Sequence, residues 1–386
     1  MKHDWEYKKL GEVCDILNGC AFKSERYTDE GIRIIRITNV QKGYVADDDP
    51  KFYPKNEEKN ISPYLLKEGD LLMSLTGNVG RVGLLPHNFI PAALNQRVAC
   101  LRIINNNVVL PYLFHLFNSN KFENEAITYS NGIAQKNMST EWLKKYVIPI
   151  PPLPTQQSIV SELDSLSKII ADCKETLKDY DALEQSIFYD MFGDPVKNEK
   201  GWEVKKIEDI GSCCSGGTPS RSHPEYFEGD IIWYSAGELN DLYLGESIEK
   251  ITESALNNSS AKLCKAGSLF VGMYDTAAFK MGIATVDSCS NQACANVTLN
   301  DNNNVIWLYF TLLFMKEEAL KNRHGARQKN LNLGYIKNFN IPVPPLPLQQ
   351  QFASKIEAIE QMKEETKKAL QETETLFQAR MDYWFG

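Results

Sequence analysis

The side chains of this sequence offer hydrogen-bonding chemistry rather than bond-breaking chemistry. Gly-x-x-Gln-Lys-Asn occurs twice, inside SNGIAQKN (130–137) and KNRHGARQKN (321–330). Gln and Asn present a donor and an acceptor together, the pattern that pairs with an adenine edge, while Lys and Arg donate to guanine edges and phosphates. The candidates are Gln135, Lys136 and Asn137 in the first copy and Arg323, Arg327, Gln328 and Lys329 in the second. With Lys316 and Lys321, the second copy gathers five cations inside an otherwise acidic stretch, a candidate phosphate-contacting patch. A capping turn in which Gln and Asn bond the backbone accounts for the same residues, and both readings hold together.

Other loops add donors of the same kind. IRIIRITNV (32–40) carries Arg33, Arg36, Thr38 and Asn39, SLTGNVGR (74–81) carries Thr76, Asn78 and Arg81, and Gln96 and Arg97 follow Asn95. In the second half, SGGTPSR (215–221) carries Thr218, Ser220 and Arg221, and GMYDTAAFK (272–280) carries Tyr274, Asp275, Thr276 and Lys280, with Tyr234 and Gln292 beside them. Thr and aromatic side chains suit a thymine methyl. Each of these residues is equally at home in a solvated turn.

Catalytic constellations are missing from the sequence. TGNVGRVG (76–83) lacks both the G-x-G-x-x-G order and the P-loop Lys-Ser/Thr, and reads as a tight turn between strands. The five histidines are scattered, without H-E-x-x-H or a Cys/His cluster. Nine cysteines, including Cys213-Cys214 and Cys289-x4-Cys294, match no common zinc spacing and read as reduced, packed thiols. Neither Pro-Pro pair belongs to the Asp/Asn-Pro-Pro-aromatic tetrapeptide of amino-group DNA methyltransferases. No catalytic, cofactor-binding or metal-binding residue is expected in this chain.

The chain has 386 residues, is 43% hydrophobic and carries a formal charge of −8. It is long enough for two or three domains with cores of their own. Its start, MKHDWEYKK, has no apolar signal core, and its longest apolar run, 306–315, falls well short of a bilayer's thickness, so a cytoplasmic protein without a membrane span is expected. Charge is uneven: residues 151–200 hold 5 Lys and Arg against 10 Asp and Glu, while residues 1–150 hold 19 against 17.

The organising feature is an internal repeat. IPIPPLPTQQ (148–157) returns as IPVPPLPLQQ (341–350), DWEYKKLGEVCDILNG (4–19) as GWEVKKIEDIGSCCSG (201–216), KEGDLL (67–72) as KAGSLF (265–270), and LEQSIFYDMFG (183–193) as LFQARMDYWFG (376–386). From each decamer to the end of its repeat, spacing is constant, while the stretch before it varies in length. The sequence therefore divides into a variable domain (1–150), a fixed segment (151–193), a second variable domain (194–344) and a second fixed segment (345–386).

The fixed segments read as helices. Apolar residues at Ile159, Leu163, Leu166, Ile170, Cys173, Leu177, Tyr180 and Ile187 step by four and three as a coiled-coil seam requires, with Glu184 the exception. Phe352, Ile356, Ile359, Met362, Thr366, Leu370, Thr373 and Phe377 repeat the pattern more loosely. About 35 residues each gives rods of about 50 Å. Pro154 and Pro347 suit a first helical position, and the preceding prolines stop the helix growing backwards. Short β-branched runs alternate with helical segments in the variable domains. The expected fold is α+β: two tandem domains of α/β type joined by two long antiparallel helices that form a coiled coil, with pseudo-two-fold symmetry.

Two variable domains, each ending in I-P-(I/V)-P-P-L-P-x-Q-Q and a long helix, resemble the specificity subunit of type I restriction-modification systems along essentially the whole chain. The W-E-x-K-K-(L/I) start, NGCAFKSERY (18–27), SGGTPSR and the G-x-x-Q-K-N loop sit where such subunits carry them. The resemblance implies two target recognition domains, each binding half of an asymmetric bipartite site in double-stranded DNA, with the paired helices setting the gap. It implies two methyltransferase (modification) subunits docked on the chain, supplying S-adenosylmethionine chemistry at adenine N6, and restriction/translocase subunits that use ATP and Mg for cleavage. The chain itself would be non-catalytic. A closer alternative is the reading subunit of a two-chain type II enzyme that both methylates and cleaves; more distant ones are a self-contained methyltransferase or nuclease and a protein scaffold without DNA.

Overall fold

The computed structural model describes residues 5–130, 137–321 and 330–386. It contains two compact units, one formed by residues 1–174 with 368–386, the other by residues 175–367.

The strands of the first unit are β1 (Glu6–Lys9), β2 (Cys14–Asn18), β3 (Ile32–Ile35), β4 (Phe52–Tyr53), β5 (Leu71–Ser74), β6 (Val82–Leu84), β7 (Ala92–Leu94), β8 (Val98–Ile103) and β9 (Val147–Ile150). They form a four-stranded sheet ordered β2-β8-β5-β6, a three-stranded sheet ordered β4-β3-β7 and the ribbon β1-β9. Alternation along a strand sends neighbouring residues to opposite faces. Leu71, Met73, Ala99 and Leu101 accordingly pack with Tyr112, Leu116, Phe117 and Phe122 of the helices Leu110–Phe117 and Asn120–Ser130. Leu72, Val98 and Cys100 face the other way, against Ile35 and Leu94 of the small sheet. Buried on both faces, β5 needs the continuous run Leu-Leu-Met that the sequence supplies.

The second unit repeats this layering with β10 (Glu203–Lys206), β11 (Gly211–Ser215), β12 (Ile231–Tyr234), β13 (Tyr243–Leu244), β14 (Glu249–Ile251), β15 (Leu269–Gly272), β16 (Met281–Ala284), β17 (Cys289–Ser290), β18 (Cys294–Leu299) and β19 (Asn340–Val343). Its sheets are ordered β11-β18-β15-β16-β13, β14-β12-β17 and β10-β19. Helix Val305–Phe314 is apolar nearly all round because it lies inside this unit's core, with Trp307 and Leu308 fully buried. Asn304 caps it by accepting from Ile306 and Trp307 N–H.

Each decamer is a strand followed by a helix start. The strand closes its own unit, Ile148 pairing with Lys8 and Ile341 with Lys205 in antiparallel ribbons. The carbonyls of Pro152 and Pro345 then accept from Gln156 and Gln349 N–H, opening two helices of 40 residues each, Leu153–Phe192 and Leu346–Phe385. At 1.5 Å per residue each is about 60 Å long, a turn beyond the expected length. Pro154 and Pro347 occupy the second helical position, where a missing N–H costs nothing because first-turn N–H groups have no acceptor within the helix.

Within each unit the helices pair antiparallel. In the first, Ile159 and Leu163 of the outgoing helix meet Met381 and Phe385 of the returning one in the domain core. Arg380 forks onto Glu162, with Trp384 Nε1 on the same carboxylate at 3.0 Å. In the second, Phe188 and Phe192 meet Phe352 and Ile356. The seam departs from expectation at one place: Met362 is 40% exposed, while Lys363 is 7% exposed and reaches Glu184 at 2.7 Å. A carboxylate on one helix recruits a cation on the other, four residues after Ile359, and the seam continues at the half-buried Thr366.

Candidate nucleic-acid interface

In the first unit three backbone segments run side by side at the end of the four-stranded sheet. Leu75 N–H donates to Arg97 carbonyl at 2.9 Å, Met138 N–H donates to Leu75 carbonyl at 2.8 Å, and Thr76 bridges to Asn137. This places Thr76, Gln96, Arg97 and Asn137 around one cleft of about 510 Å³, together with Asn18, Tyr129 and Thr140. Gln96 and Arg97 are exposed, and the Thr76 hydroxyl is buried without a partner among the described residues. The β5–β6 hairpin that carries Thr76 and the exposed Asn78 is held by the Ser74 hydroxyl, which bonds the Asn78 carbonyl at 2.5 Å and accepts from Arg81 N–H at 3.1 Å. Gly80 takes φ +82 there, where a Cβ would meet Ala126 Cβ at 3.0 Å. Arg81 points away from the tip, to Gln41 Oε1 at 2.8 Å.

Of the candidates on and after the small sheet's central strand, Arg33, Arg36 and Asn39 are committed to partners. Arg33 is ion-paired with Asp47 and stacks on Phe52 and Phe89 at 5.0 and 4.5 Å. Arg36 bonds the Asp49 carbonyl at 2.5 Å and its carboxylate at 3.3 Å, and Lys51 with Arg36 holds that carboxyl below its usual range. Thr38 is exposed. Asn39 is 4% exposed; it accepts from Arg36 N–H at 2.9 Å and donates to the Ala46 carbonyl at 3.1 Å. It therefore shapes the loop and presents nothing to solvent.

The second unit builds the same frame with other side chains. Met273 N–H donates to the Ala293 carbonyl and Leu331 N–H to the Met273 carbonyl, both at 2.8 Å. By these bonds Tyr274, 39% exposed, stands where Thr76 stands in the first unit, the exposed Thr276 where Asn78 does, and Gln292 where Gln96 does. Thr218 Oγ1 bonds Gln292 Oε1 directly, and Ser220 meets Ser222 at 2.7 Å. Arg221 is bidentate to Glu249 and lies 4.1 Å from the Phe227 ring, and its hydrogen bonds, with its charge, draw the Glu249 carboxyl below its usual range. Lys280 donates to Asn240 Oδ1 at 2.8 Å. Tyr234 is 1% exposed with its hydroxyl on the Gly245 carbonyl at 2.5 Å, a core residue rather than a surface one. Gln135, Lys136, Arg323, Arg327, Gln328 and Lys329, and the side chain of Asp275, lie outside the described residues.

Sequence reasoning missed Asn18, Tyr129 and Thr140 on the cleft, and Gln41 and Asn240, which hold Arg81 and Lys280. Asn18 had a signal, standing at the end of the first repeated segment; the others had none. Among the described residues no group of three or more His, Cys, Asp or Glu could hold a metal ion, and no helix is long and apolar enough to cross a membrane.

The frame, met twice, is that of a known class. The family model described as the type I restriction modification DNA specificity domain matches residues 2–179 and again 199–374, and the chain belongs to that family. It is similar to the MjaIX type I restriction enzyme specificity subunit of Methanocaldococcus jannaschii, 23% identical over 92% of this chain and 87% of that one. Over single repeats it is 30% identical to the MjaVIII specificity subunit of the same organism, covering 43% of this chain, and 31% identical to the EcoAI specificity subunit of Escherichia coli, covering 45%. Those two alignments span only 40% and 30% of the relatives' own lengths. Among solved structures, the type I restriction-modification S subunit from M. genitalium has the same fold, with a TM-score of 0.61 at 13% identity over 98% of this chain and 95% of that one.

Proposed function

We propose that this chain is the DNA-reading specificity subunit of a type I restriction-modification complex, each unit reading one half of a bipartite asymmetric site in double-stranded DNA. The observation that carries the reading is the repeated three-segment frame with different side chains at its tips: Thr76, Gln96 and Arg97 in one unit, Tyr274, Thr276 and Gln292 in the other. Equal frames dock on a duplex in equal ways, and unequal tips read unequal bases. Thr218, Ser220, Arg221, Asn78, Asn137, Thr38 and Lys280 supply phosphate and groove contacts around those tips. Arg33, Arg36 and Arg221, neutralised by Asp47, Asp49 and Glu249, become available to DNA only by exchanging partners.

The paired helices set the distance between half-sites and, being acidic, face protein rather than phosphate. Two methyltransferase subunits dock on the chain and bring S-adenosylmethionine, and restriction subunits bring ATP and Mg; this chain carries out no chemistry. Its place of work is the cytoplasm, with the chromosome. The test is site selection by the assembled methylating complex. Exchanging Thr76, Gln96 and Arg97 for alanine changes or relaxes one half-site and leaves the other and the gap intact. A change in both half-sites, or in neither, refutes the assignment.

A further inference from the structure

The second unit replaces an apolar contact of the first with two thiols and an amide. Alignment of the repeats puts Leu17, Leu66 and Cys100 opposite Cys214, Cys264 and Asn296. In the first unit those three residues share one hydrophobic cluster between the sheets. In the second, Cys214 packs against the corresponding cluster, of which Cys264 is a member. Cys214 lies on β11 directly opposite Asn296 of β18. Cys264, 6% exposed, is fixed by two backbone bonds to Ser288, at 2.8 and 3.0 Å. Cys213 packs against the other core cluster, on the opposite face of β11, so it is turned away from this pair.

Packing alone explains two small buried thiols but not Asn296. This residue is 1% exposed; its Oδ1 accepts from the Ser290 hydroxyl at 2.8 Å, yet its Nδ2 has no hydrogen-bond partner among the described residues. An unmet buried amide donor costs free energy wherever nothing negative stands beside it. What stands beside it are Cys214, its cross-strand partner, and Cys264 in the cluster against which Cys214 packs. Cys264, with Lys262 and Asn296, draws the Cys214 thiol below the usual range, while Cys214 and burial push the Cys264 thiol above it. Cys214 is half-buried and open to a small oxidant.

We propose that Cys214 and Cys264 form a reversible dithiol–disulfide couple, a redox modification site confined to the second unit. With hydrogen peroxide as oxidant, Cys214 sulfur attacks one peroxide oxygen, the O–O bond breaks and water leaves, giving a sulfenic acid. Cys264 sulfur then attacks Cys214 sulfur, the S–O bond breaks, and the hydroxyl departs with a thiol proton as a second water. Two thiols and one peroxide give one disulfide and two waters, and a low-molecular-weight thiol reverses the reaction by exchange. The bond ties the end of β11 to the segment before Cys264. The loop 215–221 follows immediately, and Gly217 already packs so closely on Ser260 and Ala261 that a Cβ there would lie 2.2 Å from the Ser260 carbonyl carbon. On the functional reading above, oxidation restrains Thr218, Ser220 and Arg221 and so touches one half-site alone; the bond itself is tested without that reading.

The experiment is peroxide treatment of the reduced full chain, quenching with N-ethylmaleimide and mass mapping of the digested peptides. The expected product is a Cys214–Cys264 cross-link that forms at least ten-fold faster than modification of the other seven cysteines and disappears with dithiothreitol. Cys264→Leu, which copies Leu66, is expected to leave Cys214 as a sulfenic acid trapped by dimedone, and Asn296→Leu to slow Cys214 alkylation several-fold. Retention of both thiols while other cysteines react, or a cross-link from Cys214 to any other cysteine, overturns the proposal. If the cross-link forms but half-site selection is unchanged, the couple stands and the functional reading of loop 215–221 falls.

Discussion

Gln156, fully buried in the first turn of the outgoing helix, accepts the Val109 N–H on Oε1 at 3.0 Å and donates Nε2 to the carbonyls of Asn107 and Pro151, both at 2.8 Å. Gln349 repeats this in the second unit, accepting from Asn304 N–H at 2.8 Å and donating to the Pro344 carbonyl at 2.8 Å. One amide thus ties the start of a long helix to the loop that opens a domain helix. Only a side chain with both a donor and an acceptor serves. Gln156→Glu keeps the acceptor but sets a carboxylate against two carbonyls, and is expected to destabilise the first unit by about 2–4 kcal/mol, read by urea unfolding. A loss below about 0.5 kcal/mol would show the clamp to be idle.

Lys363, itself buried, pairs with the buried Glu184, the exposed Asp181 and the half-buried Glu360 at 2.7, 2.8 and 2.9 Å. Lys363→Met strands Glu184 and is expected to cost about 3–5 kcal/mol, whereas Lys363→Met with Glu184→Leu recovers most of that, since an apolar pair fits the seam. Chemical denaturation of both variants checks this. Equal losses in the single and double variants would contradict it.

The same cluster predicts a pH dependence. Burial raises the Glu184 carboxyl above its ordinary 4.5, against the pull of Lys363. A raised folded value means the native state binds the proton more tightly than the unfolded chain. The associated stability is complete below 4.5 and is lost as pH rises through the folded value. Glu184→Gln should flatten the stability profile over that window, measured by thermal melts across pH; a profile unchanged from wild type would count against it.

Trp5 stacks on Trp384 with ring centroids 6.3 Å apart, so the two ends of the described chain meet in the first unit. Joining the termini and reopening near Asp194 is expected to preserve the fold, read by circular dichroism and melting temperature. Trp384→Ala should loosen the first unit and spare the second, seen as amide exchange rising only in residues 5–174 and 368–386. Exchange rising equally in residues 175–367 would show that the returning helix is not a local part of the first unit's core.

On the proposed function, inserting four residues into both long helices, at 174/175 and 367/368, lengthens each by about 6 Å. Bound-site selection should then recover the same two half-sites with a gap longer by one or two base pairs. An unchanged gap would remove the helices from any role in spacing.

The repeat, the class of fold and the long helices were legible in the sequence, because heptad periodicity, proline-stopped helix starts and copied segments are local patterns that survive without coordinates. Glu184 stood out as a flaw in its seam, but its partner did not: four-three spacing after Ile356 and Ile359 reaches Lys363, yet the apolar Met362 beside it is the residue that side-chain type favours, and only packing shows the cation turned inward. Candidate surface residues divided in the same way. Residue type marked Arg33, Asn39 and Tyr234 as fit for recognition, and only packing showed that Asp47 occupies the first and that the loop backbone and the core claim the other two. Hydrogen-bonding capacity is written in a side chain, whereas whether that capacity is free depends on neighbours contributed by distant parts of the chain. The convergence of Thr76, Gln96, Arg97 and Asn137 on one cleft was decided by the tertiary fold, through backbone bonds between segments dozens of residues apart.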